Sequence, residues 1–331
     1  MSRPSNAIVP AAPTGLLGGL GLALLLAACS STPEEDPEAP PRFEIPEQPG
    51  SGGSSGRDVV AKGTERPPEE QSIGFYLSDL DRSITAWHQA KFESHEPKMQ
   101  TRKEMLEEQI AYRAQLRLPE LIAQLESPAA RNRAVAAVAL GFSGDPEVQG
   151  PLLARLSDRN DEVVGNALMG IGVLALPDTP LAPICTLLRT HPDPWTRNNA
   201  AYALQRLLAV GASGACAVDA ARQGLVDTEP GVRVQSALIL GLELDTESVD
   251  TLGALLHDEE NMVAAAAART LSYIGSRSVH HKGACARLLA DALDTAPSSR
   301  RGRLLYELSQ LSDRFHGEDA QPWREWARQI P

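Results

Sequence analysis

From residue 119 to about residue 310 the apolar positions return in one register. Counting from a Leu, small or apolar residues recur 11, 15 and 16 positions later: Leu125 leads to Ala136, Leu140 and Gly141, Leu156 to Ala167, Ile171 and Gly172, and Leu225 to Ser236, Leu240 and Gly241. Leu256 leads to Ala267 and Leu271, with Gly275 displaced by a turn, and Leu293 leads to Leu304 and Leu308. After Leu188 one extra residue, beside Pro192 and Pro194, is needed to reach Ala200 and Leu204. The anchors lie 31, 32, 37, 31 and 37 residues apart, which predicts about six units, each a short helix, a turn and a second helix ended by Gly. The turns Leu156-Ser157-Asp158, Leu225-Val226-Asp227 and Leu256-His257-Asp258 place an Asp where it can cap the second helix and favour its N-terminal dipole. One such unit cannot bury its own apolar face, so stacked units share a core and the two ends need covers.

Both flanks supply covers. Leu77, Leu80, Ile84 and Trp87 recur at helical spacing just after Phe75, and a second, more charged helix is predicted after Pro97 with Met105, Leu106, Ile110 and Tyr112 as its apolar positions. Residues 72–118 are thus expected to form an N-terminal helical cap, and 311–331 a C-terminal one, where Trp323 and Trp326 share a helix face. Residues 30–71 differ in kind: eight prolines and the run Pro49-Gly50-Ser51-Gly52-Gly53-Ser54-Ser55-Gly56 leave too little apolar content to fold. A disordered tether with a typical end-to-end distance of about 35 Å is expected there.

Before the tether, Arg3 precedes an apolar run, Leu16 to Leu26, that closes on Leu26-Ala27-Ala28-Cys29. This segment resembles the lipobox of bacterial lipoproteins, which implies a signal peptide over 1–28, cleavage after Ala28 and lipidation of Cys29. The apolar run is shorter than the roughly 20 residues a bilayer-spanning helix needs, and it holds Gly18, Gly19 and Gly21. Ser30, in place of an Asp, points to the outer rather than the inner membrane of the envelope.

Aromatic residues make up 4% of the chain, and no long stretch alternates β-branched with polar residues, so an all-α protein is expected. Of the net charge of −12, about half sits in residues 30–71, where ten acidic residues face four basic ones. With no basic stripe, nucleic acid is excluded as a partner. Cys185, Cys216 and Cys285 cannot all pair within one chain; they are either small packing residues or one bridge plus a thiol, with Cys185 and Cys216, in neighbouring units, the first pair to test. No pair has the spacing of a zinc or thioredoxin-like site.

The repeated unit, with Asp227 six residues before Arg233, resembles HEAT repeats, especially the short HEAT-like type also found in phycobilin lyases. The resemblance implies a right-handed α-solenoid and an Asp–Arg ladder between units, kept whole at Asp227 and Arg233 and reduced to its basic half at Arg133 and Arg301. Relatives include an iron enzyme that uses repeated His-Glu dipeptides and lyases that bind tetrapyrroles. Here His-Glu occurs once, at His95-Glu96, outside the units, and His280-His281 is expected in a loop between units. No nucleophile elbow or phosphate loop is present, so no catalytic residue, metal or cofactor is expected.

What remains is surface. Early positions of the second helices carry Arg131, Arg133, Asn160, Asn166, Arg197, Asn199, Arg233, Gln235, Arg301 and Arg303. These read either as a binding ladder for an acidic or extended polypeptide or as solvated faces and bonds between units. The function expected is a membrane-tethered, non-catalytic scaffold or adaptor for an envelope protein. The alternatives are an accessory or regulatory subunit of an enzyme, tetrapyrrole handling included, and an abundant structural component of the envelope.

Overall fold

The computed structural model describes residues 71–92, 97–312 and 314–331. Ala28, Cys29 and nearly all of the segment read as a tether lie outside the described residues, as does His95-Glu96. Among the described residues there are fifteen α-helices and no strand, and no helix is long and apolar enough to cross a membrane.

Six helix pairs follow one another: α3 (Leu118–Gln124) with α4 (Ala130–Gly141), α5 (Gln149–Ala154) with α6 (Asp161–Leu174), and α7 (Ala182–Thr190) with α8 (Pro194–Ala209). The series continues with α9 (Ala215–Gly224) and α10 (Pro230–Leu242), α11 (Val249–Leu255) and α12 (Asn261–Arg277), and α13 (Val279–Thr295) and α14 (Ser298–Leu311). The second helices lie side by side in chain order, each packed on the next, as an α-solenoid requires. Small residues set their spacing. A methyl group added at Gly141 falls 2.3 Å from the Gly170 carbonyl oxygen, and one added at Gly170 falls 2.3 Å from that of Ala137, so α4 and α6 touch backbone to backbone. The anchor residues Leu125, Leu140, Leu156, Leu188, Leu204, Leu225, Leu240, Leu256, Leu271, Leu293 and Leu308 are all buried in one continuous core.

An arginine ladder locks the units together, in a pattern that differs from the one expected. Arg133, six residues after Ser127, donates Nη1–H to the Ser127 carbonyl at 2.8 Å, and its Nε–H and Nη2–H form a fork on the Asp158 carboxylate at 2.8 Å each. Arg197 repeats this on the His191 carbonyl and Asp227, and Arg233 on the Asp227 carbonyl and Asp258. Each arginine thus clips its own turn through a carbonyl and the following turn through a carboxylate. Arg133 is therefore fully paired: its acid stands in the next turn, where a search six residues back does not look.

The three acids do not serve as N-caps. Asp158, Asp227 and Asp258 lie two residues earlier, and each accepts the backbone N–H of the N-cap residue itself, from Asn160, Glu229 and Glu260. Side-chain caps do occur at Asn160, which accepts from Val163 N–H, and at Asp193, which accepts from Thr196 N–H. The Arg133 fork, which outweighs burial, holds the Asp158 carboxyl below its ordinary range. At Asp227 and Asp258 burial pushes the other way, and the arginine forks with the backbone N–H bonds overcome it.

The third and fourth units are also joined covalently. Cys185 in α7 and Cys216 in α9 form a disulfide across a Cα–Cα distance of 6.1 Å, and Cys285 is a buried thiol that burial pushes up to about 11. A bridge closing a sequence separation of 31 residues stabilises by about 3–4 kcal/mol through the unfolded chain. Reductant is expected to lower the urea midpoint of the wild type and leave that of a Cys185→Ser, Cys216→Ser double variant unmoved. Equal midpoints with and without reductant in the wild type would remove the bridge from the folded protein.

The ends differ from each other. At the C-terminus α15 (Ala320–Arg328) packs on α13, with Trp323 fully buried, donating its indole N–H to the Gly317 carbonyl at 2.8 Å and meeting Trp326 edge-on. His280 and His281, expected in a loop, belong to the first turn of α13, where Ser278 Oγ bonds His281 Nδ1 at 2.9 Å. At the N-terminus α1 (Ile73–Phe92) and α2 (Pro97–Leu116) both pack on α4. In α2 the inward positions are Ile110 and Ala114, whereas Met105 and Tyr112, expected to be core, face solvent.

Candidate functional site

One side of the second-helix layer packs on the first helices; among the described residues the other is covered only over its opening section, where α1 lies on α4. Arg131 of α4 pairs with Asp81 of α1 at 2.5 Å, and Trp87 meets Phe142 edge-on with ring centroids 5.0 Å apart. Ile84 and His88 share a cleft with Val135 and Val138 of α4, Asn166 of α6 and Trp195 of α8. Lys91, near the end of α1, reaches the third unit, where its Nζ sits 3.5 Å from the centre of the Tyr202 ring. The N-terminal helices are thus more than an end cover, because α1 extends along the face over three units.

Beside α1 is a cleft of about 570 Å³ among α1, α2 and the C-terminal ends of α4, α6 and α8. Trp87, Phe142 and Tyr202 give it aromatic walls, and Lys91, Lys103, Glu107 and Arg206 give it charge. Glu107 accepts from the Trp87 indole N–H and from Lys103 Nζ, both at 2.9 Å. Lys91 has rings where a carboxylate partner could stand, and burial, aided by Arg206 and Lys103, brings its ammonium down to about 8. Burial beside Lys91 also lowers His88 to about 4, so it is neutral at pH 7. Arg206 donates to the Gly172 carbonyl at 3.4 Å, as suits a cation at helix C-termini. Among the described residues no three metal-ligating side chains come together.

The residues expected to form a binding ladder are for the most part engaged inside the protein. Arg133, Arg197 and Arg233 form the inter-unit forks. Asn199 is buried and donates to the Gly165 carbonyl at 3.2 Å, and Arg301 bonds the Leu293 and Glu318 carbonyls at 2.7 and 2.8 Å. Asn160 caps α6, Asn166 lines the cleft beside α1, Gln235 is half-buried, and Arg131 is held by α1. Of the two readings, bonds between units is the one these contacts favour: the buried guanidinium groups are held inside the fold by a carboxylate fork and a turn carbonyl. Arg303 alone of the set is both exposed and on the open face, 3.3 Å from Glu307.

The face itself becomes visible by counting from the ladder. The positions five and nine residues after it are Val138 and Phe142 in α4 and Tyr202 and Arg206 in α8. In α10, α12 and α14 they are Leu238 and Leu242, Arg269 and Tyr273, and Tyr306 and Gln310. Val138 and Phe142 are 1% and 8% exposed, while Leu242, Tyr273 and Tyr306 are 38%, 36% and 55% exposed. Arg277 stacks on Tyr273, its Cζ 3.8 Å from the ring centre. The last three units thus present uncovered apolar and aromatic side chains at the register that α1 covers in the first.

Residues 218–309, which span α9 to α14, match the family model for HEAT repeats. The chain is a HEAT-like repeat protein. HEAT-like stacks offer extended surfaces and suggest an interaction scaffold. A search of curated proteins returns no match. Among solved structures the HEAT-like chain is similar to an engineered protein at 19% identity and a TM-score of 0.45, covering 63% of this chain and 96% of that one. It is similar also to human deoxyhypusine hydroxylase in complex with glycerol, at 20% identity and a TM-score of 0.34, covering 74% and 92%. A third is the complex of CpcE and CpcF of phycocyanin lyase from Nostoc sp. PCC7120, at 18% identity and a TM-score of 0.40, covering 84% and 98%. At these scores no activity carries over.

Proposed function

We propose that this HEAT-like protein is a non-catalytic scaffold or adaptor, anchored in the cell envelope by lipid on Cys29, that holds an envelope protein on the free face of its last three units. The observation that carries the reading is the uncovered row of Leu242, Tyr273 and Tyr306 at positions that are buried where α1 lies. Side chains of this size on a repeat surface, rimmed by guanidinium groups, have the make-up of an interaction patch. Two features of the chain support the location: the Leu26-Ala27-Ala28-Cys29 motif, and the Cys185–Cys216 bridge, which suits an oxidising compartment.

The test is crosslinking in intact cells followed by affinity capture, comparing the wild type with Cys29→Ser and with a Tyr273→Ala, Tyr306→Ala double variant. One envelope protein is expected with the wild type, lost with Cys29→Ser and reduced at least about tenfold by the double variant, as for loss of two aromatic anchors. Both tyrosines are exposed, so the double variant keeps its melting temperature. Capture that survives the double variant moves the binding surface elsewhere; capture unaffected by Cys29→Ser removes the anchor from the mechanism.

A further inference from the structure

We infer that the cleft among α1, α2 and the C-terminal ends of α4, α6 and α8 is a binding site for a small organic carboxylate with an apolar body, whose carboxylate is held by the Lys91 ammonium. The site shares no residue with the row Leu242, Tyr273 and Tyr306 and does not depend on a protein partner.

The cleft has the size and lining such a ligand needs. Its volume of about 570 Å³ falls within the range of about 300–1,000 Å³ common to small-molecule sites. Ala111, Val173 and Leu174 are half-buried, so each keeps apolar surface uncovered in the cleft it lines, and the rings of Trp87, Phe142 and Tyr202 complete the apolar wall.

Two of the three cations in the cleft are already engaged. Lys103 pairs with Glu107 at 2.9 Å, and Glu107 also accepts the Trp87 indole N–H. Arg206 bonds the Gly172 carbonyl in the last turn of α6. Lys91 has neither an acid nor a hydrogen-bond acceptor among the described residues; its Nζ stands 3.5 Å from the centre of the Tyr202 ring and 5.1 Å from that of Trp87. An exposed arginine without an acid is hydrated by water and marks no site. Lys91 differs, because it is half-buried and its surroundings penalise the charged form. The rings offset part of that penalty, yet they accept no N–H···O bond. A carboxylate supplies the charge-assisted acceptor that the fold withholds, while the rest of the ligand covers Ala111, Val173 and Leu174.

This assignment makes binding consume a proton. Lys91 titrates at about 8 in the empty cleft, and a carboxylate beside it raises that value. At pH 8.5 about three-quarters of the empty protein has Lys91 neutral, and the ligand draws a proton in. The other groups around it are Glu107, Glu108, Lys103 and Arg206, with His88, lowered to about 4, and Tyr202, raised above its ordinary range, both away from this window.

The experiment is calorimetric titration of the full chain carrying Cys29→Ser with 4-phenylbutyrate, at pH 7 and pH 8.5, in two buffers of different ionisation enthalpy. 4-Phenylbutanol is the neutral control. The carboxylate is expected to bind at least about tenfold more tightly than the alcohol, as for one charge-assisted hydrogen bond, and to take up about half a proton or more at pH 8.5 and close to none at pH 7. Lys91→Met keeps an apolar stem over Tyr202 and should lose both the uptake and at least about tenfold in affinity, with a melting temperature no lower than that of the parent. Equal binding of alcohol and carboxylate, an uptake that persists in Lys91→Met, or no binding at about 10 mM ligand would each overturn the inference. The uptake is read on the parent chain, so a Lys91→Met variant that fails to fold leaves the test in place.

Discussion

Asp258→Ala is expected to destabilise the folded chain by about 3–5 kcal/mol, because it leaves the Arg233 guanidinium buried without its acid. Arg233 is 10% exposed and Asp258 9% at the side chain, and the fork is bidentate at 2.9 Å on each arm. The cost is that of a stranded charge rather than of one lost attraction, so an Arg233→Met, Asp258→Leu double variant should recover most of it. Urea denaturation of the wild type and the two variants checks this; a double variant as unstable as Asp258→Ala shows that the fork itself, rather than the orphaned ion, holds the joint. The same acids set a pH limit. Asp158, Asp227 and Asp258 titrate below their ordinary range when folded, so their contribution is intact above the unfolded value of about 3.9 and is lost as pH falls through the folded values. Acid melting should therefore steepen below about pH 4, and the double variant, lacking one of the three acids, should lose less stability across that range.

Trp87→Ala should cost about 3–5 kcal/mol as a large side chain leaves the core. Trp87 is 2% exposed, meets Phe142 edge-on and donates to Glu107. A solenoid is held together by neighbours, so the damage stays local. Hydrogen exchange should quicken in α1, α2 and α4 and remain unchanged in α10 to α14. Equal acceleration in the last units would mean that the stack unfolds as one body and that α1 is more than a local cover. The cleft beside α1 supplies a second readout, since loss of the indole removes one of the two rings beside Lys91, the other being Tyr202.

The helix pairs were legible because Leu125, Leu156, Leu225 and Leu256 begin the same spacing, and stacking physics leaves such a spacing few other uses. The surface was harder to read. Arg133 and Arg233 look solvent-facing in a helical projection, yet their acceptors stand 25 residues ahead, in the next turn, a distance at which no local rule pairs them. The reach of α1 was hidden for a related reason: Trp87 announces a buried helix but not how many units it crosses. Leu242, Tyr273 and Tyr306 could have been found by counting nine, nine and five residues from the ladder register, at Arg233, Ala264 and Arg301, but only once that register was known to point inward.

The forks also all run one way. Each arginine reaches forward, Arg133 to Asp158, Arg197 to Asp227 and Arg233 to Asp258, across 25 to 30 residues. On a ribosome the donor is made before its acceptor, so a newly formed unit carries an open latch until the following turn emerges. Growth of the stack is then directional, and a chain halted mid-array stops with a cation lacking its counterion. Trimming from the opposite end strands only an aspartate, which still keeps a backbone N–H at 2.8 to 3.0 Å. Nascent chains arrested after α10 should therefore be more protease-sensitive at their last unit than fragments that begin at α5 are at their first.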